Sequence, residues 1–130
     1  MFVTVHRVEA YRNSQSGVFV SGQFMSAGAP VTAAVTDSKA VGNGSTGFHA
    51  FSAGGHGVTL MTLIRSVAAS NVTGVQASSI ISTLRFGRST VTGNSNSWVA
   101  ASSAVVQTYG ENYINGNGDG DPLPTTISRK

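Results

Sequence analysis

Three histidines, five acidic residues and no cysteine are the whole stock of metal-binding and proton-transfer groups in this 130-residue chain. His6 stands alone, and His49 and His56 lie seven positions apart with no acid nearby and no third ligand, too few donors for a zinc-type site. One oxygen-rich pattern stands out. Asn115, Asn117, Asp119 and Asp121, with Gly120, resemble the start of a calcium loop, in which oxygen ligands recur at alternate positions and a glycine makes the sharp turn. Its first ligand is Asn, and Thr126 stands where a bidentate Glu would close the loop, so these four are weak metal candidates and the segment reads as a Gly/Asn/Asp turn. Nucleophilic catalysis needs a nucleophile beside an activating base. No serine lies in a G-x-S-x-G elbow, Glu9 and His6 have opposite parity on an expected strand, and the only paired carboxylates, Asp119 and Asp121, sit in a loop. The Gly42 to Gly47 run, GNGSTG, lacks the P-loop lysine. No catalytic residue, metal or cofactor is expected, and the chain reads as a non-enzymatic protein.

The elements that would position these residues follow from periodicity. Phe2 to Ala10 alternates, NSQSG at Asn13 to Gly17 is turn chemistry, and Val18 to Phe24 reads as the hairpin partner. Val31 to Thr36 is short and β-branched, and Val41 extends it as a second arm beyond Asp37 to Ala40. In Val58 to Arg65, both alternating faces are largely apolar, so Val58, Leu60, Leu63 and Ile64 mark a core strand buried on both faces. The i, i+3, i+4, i+7 spacing of Ala77, Ile80, Ile81 and Leu84 predicts an amphipathic helix over about Val67–Leu84, capped near Ser70 or Asn71 and ended by Gly87. Further strands are expected near Arg88 to Thr92 and Val99 to Thr108, with Trp98 as a core or interface anchor. From about 109 the chain reads as an irregular extension.

Length and composition predict one domain with one core. Charged residues make up only 10% of the chain, far below the usual quarter. A surface so poor in charge suits a protein covered by copies of itself. Eight basic residues against five acidic ones give +3, with no basic run or nucleic-acid motif, and no apolar run approaches membrane length. The N-terminus does not read as a signal peptide, so assembly in the cytoplasm, without membrane contact, is expected.

The stretch Asp37 to Asn71 resembles the middle of tail tube proteins of tailed bacteriophages, especially the small tube subunits of contractile tails. The matching elements are Asp37 and Lys39, Gly44 and Gly47, Gly57 to Leu63, Arg65, Ser66, Ala69 and Asn71, after which that family starts a helix. The resemblance implies a mainly β fold, an antiparallel β-sandwich or barrel with one flanking helix. It further implies a structural virion protein self-assembling into stacked hexameric rings, with other tail proteins as partners and genome DNA passing non-specifically through the tube. Val31, Val35, Asp37, Lys39 and Val41 would form an arm to a neighbouring subunit. A capsid coat or decoration protein, or a small calcium-assisted β-sandwich binding module, is the alternative.

Overall fold

The computed structural model describes residues 1–129, and it is a β-solenoid of about four turns. Each turn contributes one strand to each of three parallel sheets. The first turn runs through β1 (Phe2–His6), β2 (Glu9–Tyr11) and β3 (Val18–Ser21), and the second through β4 (Val31–Thr36), β5 (Lys39–Val41) and β6 (Thr46–Phe51). The third comprises β7 (Thr59–Ile64), β8 (Val67–Ala69) and β9 (Thr73–Ser78), and the fourth β10 (Ser82–Gly87), β11 (Thr90–Thr92) and β12 (Asn96–Ala101). A closing part-turn adds β13 (Val105–Gly110), β14 (Tyr113–Asn115) and the short β15 (Thr125–Thr126). Sheet 1 has the order β1-β4-β7-β10-β13-β15, sheet 2 runs β14-β11-β8-β5-β2, and sheet 3 runs β12-β9-β6-β3.

Stacking equivalent residues on one another builds the core as columns. Ala33, Met61, Leu84 and Val106 form one inward column of sheet 1, and Val35, Leu63 and Phe86 form the next. Phe48 and Val75 do the same for sheet 3. The three-residue strands of sheet 2 turn one residue inward each, the column Ala10, Ala40, Ala68 and Val91, small enough to let the corner close tightly. Alternation of period two holds throughout, since each strand has one face in the core and one outside.

The corners carry the polar order. Asn43, Asn71, Asn94 and Asn117 are all buried at the passage from sheet 2 to sheet 3. Each side-chain amide donates to the side-chain oxygen of the next residue in the column: Asn13 to Asn43 at 2.9 Å, Asn43 to Asn71 at 2.9 Å, Asn71 to Asn94 at 3.1 Å and Asn94 to Asn117 at 2.9 Å. The same oxygens accept the backbone N–H of the preceding asparagine, and the second amide hydrogen reaches a backbone carbonyl, from Asn71 to Ala40 O and from Asn94 to Ala68 O. Every polar atom of Asn71 is thereby used. A second column at the sheet 1 to sheet 2 corner has Ser38, Ser66 and Ser89 accepting the N–H of Val8, Ser38 and Ser66, and Asn112 accepting that of Ser89. Beside the serines, Arg7, Asp37, Arg65, Arg88 and Glu111 all take positive φ, between 49° and 57°, which turns the chain through the corner in two residues. Gly47 is required next to the asparagines, because a Cβ there would lie 2.6 Å from Gly74 O and 2.8 Å from Asn71 Nδ2.

This architecture corrects the expectation of an antiparallel sandwich or barrel. Residues 67–84 form β8, β9 and part of β10, with no helix. The helical spacing arose because Ala77 and Leu84 face the core from adjacent strands, whereas Ile80 lies in the tight passage between them and is 68% exposed. The expected opening hairpin is absent too: β1 pairs with β4 and β3 with β6, both parallel. Val31 to Val41 does not project as an arm. It forms β4 and β5 inside the stack, with Val31 and Val35 fully buried, Asp37 bonded to Arg65, Lys39 bonded to Glu9 and Val41 half-buried. The expected core strand is β7, yet only Leu63 of its four marked residues lies in the core. Leu60 and Ile64 face outward half-covered, and Val58 is exposed just before the strand. The expected strand over Val99 to Thr108 is two strands of different sheets, β12 and β13. The supposed irregular extension from 109 holds the end of β13 and all of β14 and β15.

Replacing Asn71 by Ala strips Asn43 N–H and Ala40 O of their partners inside the stack, and each orphaned buried group costs about 1–3 kcal/mol. Asn71→Ala is expected to lose on the order of 3 kcal/mol in urea denaturation. Asn71→Asp should fare no better, since a carboxylate cannot donate, while Asn13→Ala at the exposed end should cost far less. Equal effects of Asn71→Ala and Asn13→Ala would show that the column is not what holds the turns in register.

Candidate functional site

A groove of about 900 Å3 lies on the outer face of sheet 1. Its floor is the outward side of β7, β10 and β13, where Thr62, Arg85 and Gln107 stand in register one above the other. Gly87 stands opposite Ile64 and Gly110, and the Tyr109 side chain packs over it, since a Cβ there would lie 3.0 Å from Tyr109 Cβ. The segment Ile127–Arg129 follows β15 and forms one wall, tied down by Ile127 N–H donating to Thr108 O at 2.9 Å.

Three guanidinium groups line this surface. Arg85 donates from Nε to Gln107 Oε1 at 3.1 Å, which fixes the plane of the group and leaves its terminal N–H groups without a protein partner among the described residues. Arg88 donates from Nε to Glu111 Oε2 at 2.7 Å, and Arg129 donates to both Glu111 oxygens at 3.3 and 3.0 Å. Hydrogen bonds from Arg88 first, then from Arg129, hold the Glu111 carboxyl below its ordinary range. Among the described residues, three cations around one carboxylate leave this surface an excess of two positive charges. Thr62, Gln107 and Ser128 add neutral hydrogen-bonding groups, and Tyr109 adds an aromatic ring. Comparison with family models, with curated proteins and with solved structures returns no match.

Of the residues singled out by sequence, Ile64 lines the groove, and the histidines and the loop oxygens lie elsewhere. His6 is on the outward side of β1, with Nδ1 2.9 Å from Thr36 Oγ1 and 3.4 Å from Asp37 Oδ2. His49 is on sheet 3, wedged between Phe19 and Phe51 with ring centroids 5.1 and 6.2 Å away, and its burial pushes the imidazole toward the neutral form. His56 is in the loop before β7. Among the described residues no three His, Cys, Asp or Glu side chains gather as a metal site. The Asn115 to Asp121 loop is occupied by the protein's own donors. Asp121 accepts the N–H groups of Gly116 and Asn117 and the Asn117 side-chain amide, and these bonds, the Asn117 N–H foremost, lower its pKa. Burial acts to raise the Asp119 carboxyl, but the Ser97 hydroxyl and N–H, with the Asp121 N–H, hold it below its usual range. Asn117 is the last member of the asparagine column, and the Asn115 side chain is exposed on β14. These contacts cap the solenoid.

Arg85, Arg88, Tyr109 and Arg129 escaped sequence reasoning because they are 3 to 44 positions apart and share a face only through the stacking register. The signal that would have found them is the recurrence of Asn at 13, 43, 71, 94 and 117, separated by 30, 28, 23 and 23 residues. Aligning the chain on these asparagines superposes Ser38, Ser66 and Ser89 and brings the groove residues into adjacent rows.

Because the Glu111 pKa is depressed on folding, its contribution is in full above the ordinary glutamate range and is lost as pH falls through the lower folded value. The protection of the Ile127 amide against hydrogen exchange is therefore expected to stay level through neutral pH and drop only on the acid side of that range. Glu111→Gln should lower the protection at neutral pH and flatten its pH dependence. An unchanged profile in this variant would show that the wall is held by β15 alone.

Proposed function

We propose that the chain is a non-enzymatic binding module, a stiff β-solenoid whose sheet 1 groove holds a short acidic oligosaccharide. The supporting observation is the set of three guanidinium groups facing one groove, with Glu111 the single carboxylate bonded to them among the described residues. Guanidinium forks match carboxylates in bidentate geometry. The register that aligns Thr62, Arg85 and Gln107 spaces donors and acceptors by the separation of neighbouring strands, about 4.8 Å, close to the length of a sugar unit. Sugar hydroxyls find Thr62, Gln107 and Ser128, and a ring face finds Tyr109. A single-stranded nucleic acid would call for several exposed aromatic platforms, whereas the groove offers one. Reading the groove as a binding site is supported by Glu111 beside it, whose two oxygens are both engaged by arginines that hold its carboxyl below the ordinary range.

The tail-tube resemblance rested on a passage from strand to helix around Asn71. That passage is β7, a corner, β8 and the asparagine column, so the present reading draws on the groove instead. Self-assembly, the other expectation carried by the low charge, returns below on different grounds.

Calorimetric titration with oligogalacturonate, neutral oligogalactose and single-stranded oligonucleotide tests the reading. The acidic sugar is expected to bind, with affinity falling as salt rises, and Arg85→Ala is expected to weaken it about tenfold or more, the loss of one charge-assisted hydrogen bond. No binding of the acidic sugar, or equal binding by Arg85→Ala, overturns it, as does tighter binding of the neutral sugar or the oligonucleotide.

A further inference from the structure

The two ends of the solenoid are built differently. At the C-terminal end Asp121 closes the asparagine column, and Asn112 closes the serine column. Asp119 takes the Ser97 N–H from the edge of β12, Trp98 Nε1 donates to Pro122 O at 2.8 Å, and Pro124 is buried. No such cover exists at the other end among the described residues. There β1, β2 and β3 are the outermost strands of their sheets. Val3 and Val5 continue the inward columns of Ala33 and Val35 but are only half-buried, and Met1 and Phe2 are 63% and 68% exposed, with Val8, Tyr11 and Phe19 exposed in the same turn.

The edge of β1 is also free to pair. Met1 O accepts Thr32 N–H and Arg7 N–H donates to Thr36 O. In a parallel ladder the bonding residues alternate, so Met1, Val3, Val5 and Arg7 turn their backbone groups to β4, and Phe2, Thr4 and His6 present theirs to the open side. The strand FVTVH contains no proline, lysine or acid, the residues that usually guard such an edge.

We propose that a second copy of this chain covers this end, the two first turns meeting about a twofold axis through Thr4, with β1 pairing antiparallel to its counterpart. Centred on Thr4, the register sets Thr4 opposite Thr4 and Phe2 opposite His6 of the second copy. These are the residues with free backbone groups, so they become the hydrogen-bonded pairs of an antiparallel ladder. Val3 then lies opposite Val5 of the second copy, and the two inward columns join into one core. The capped C-terminal end offers no matching edge for head-to-tail stacking, so the assembly closes at two. The groove on β7, β10 and β13 lies outside this contact, so the dimer and the sugar site stand or fall separately.

Sedimentation equilibrium over a range of protein concentrations tests the proposal. A monomer–dimer equilibrium is expected. Thr4→Lys sets two ammonium groups opposite each other and should weaken the dimer at least about tenfold. Thr4→Pro removes an outward N–H while leaving the bonds to β4 in place, and should do the same with unchanged circular dichroism. In the wild-type chain the Thr4 amide should exchange more slowly as concentration rises. A monomer at every concentration, a dimer that survives both substitutions, or oligomers that grow without limit would each overturn it.

Discussion

The structure depends on one repeated interaction, the amide-to-amide hydrogen bond between asparagines in successive turns. A parallel ladder of strands can slip by two residues and still bury the same face, so apolar alternation alone leaves its register open. The asparagines remove that freedom. Each buried side chain has partners only when the turns above and below stand level with it, and a slipped turn would leave several polar atoms unsatisfied at once. Gly47 and Gly74 make the same demand sterically, since each lies against an asparagine amide with no room for a Cβ.

From this registration the rest follows. With the turns level, the inward residues stack into columns, and the serine corner closes on its own hydrogen bonds. The positive-φ residues at that corner are forced to point out, where Asp37 meets Arg65 and Glu111 meets Arg88. Exposed pairs of this kind add little stability. Their effect lies in placement, because the same corner that ties down Arg88 borders the sheet 1 groove. The groove is a by-product of stacking: a row of long polar side chains, Tyr109 packed over Gly87, and a tail segment folded back alongside.

Strands over Phe2 to Ala10, Val31 to Thr36 and Val58 to Arg65 are legible in the sequence as alternating β-branched and apolar residues, though the first is two strands, β1 and β2, of different sheets. Their pairing is not. A hairpin and a solenoid turn show the same local pattern of strand, turn, strand, and only the spacing of distant equivalents separates them. That spacing is irregular, contracting from 30 to 23 residues, which hides the repeat from inspection at any fixed period. The false helix over Val67–Leu84 has a similar origin, three short strands joined by corners that happen to place Ala77 and Leu84 seven apart. The candidate site was hidden for the same reason, as no two of its arginines form a motif in the chain. The Asn115 to Asp121 loop stands out in the sequence for its oxygens, and Asp119 and Asp121 serve the cap.

The contraction of the repeat occurs mainly in one place. The passage from sheet 3 back to sheet 1 takes residues 22–30 in the first turn and 52–58 in the second, but only 79–81 and 102–104 in the later ones. Both ladders of polar residues lie at the other two corners. Length can thus be gained or lost along one seam of the molecule while every asparagine keeps its neighbour, and that seam is where a lineage of such chains is free to insert new loops without rebuilding the stack.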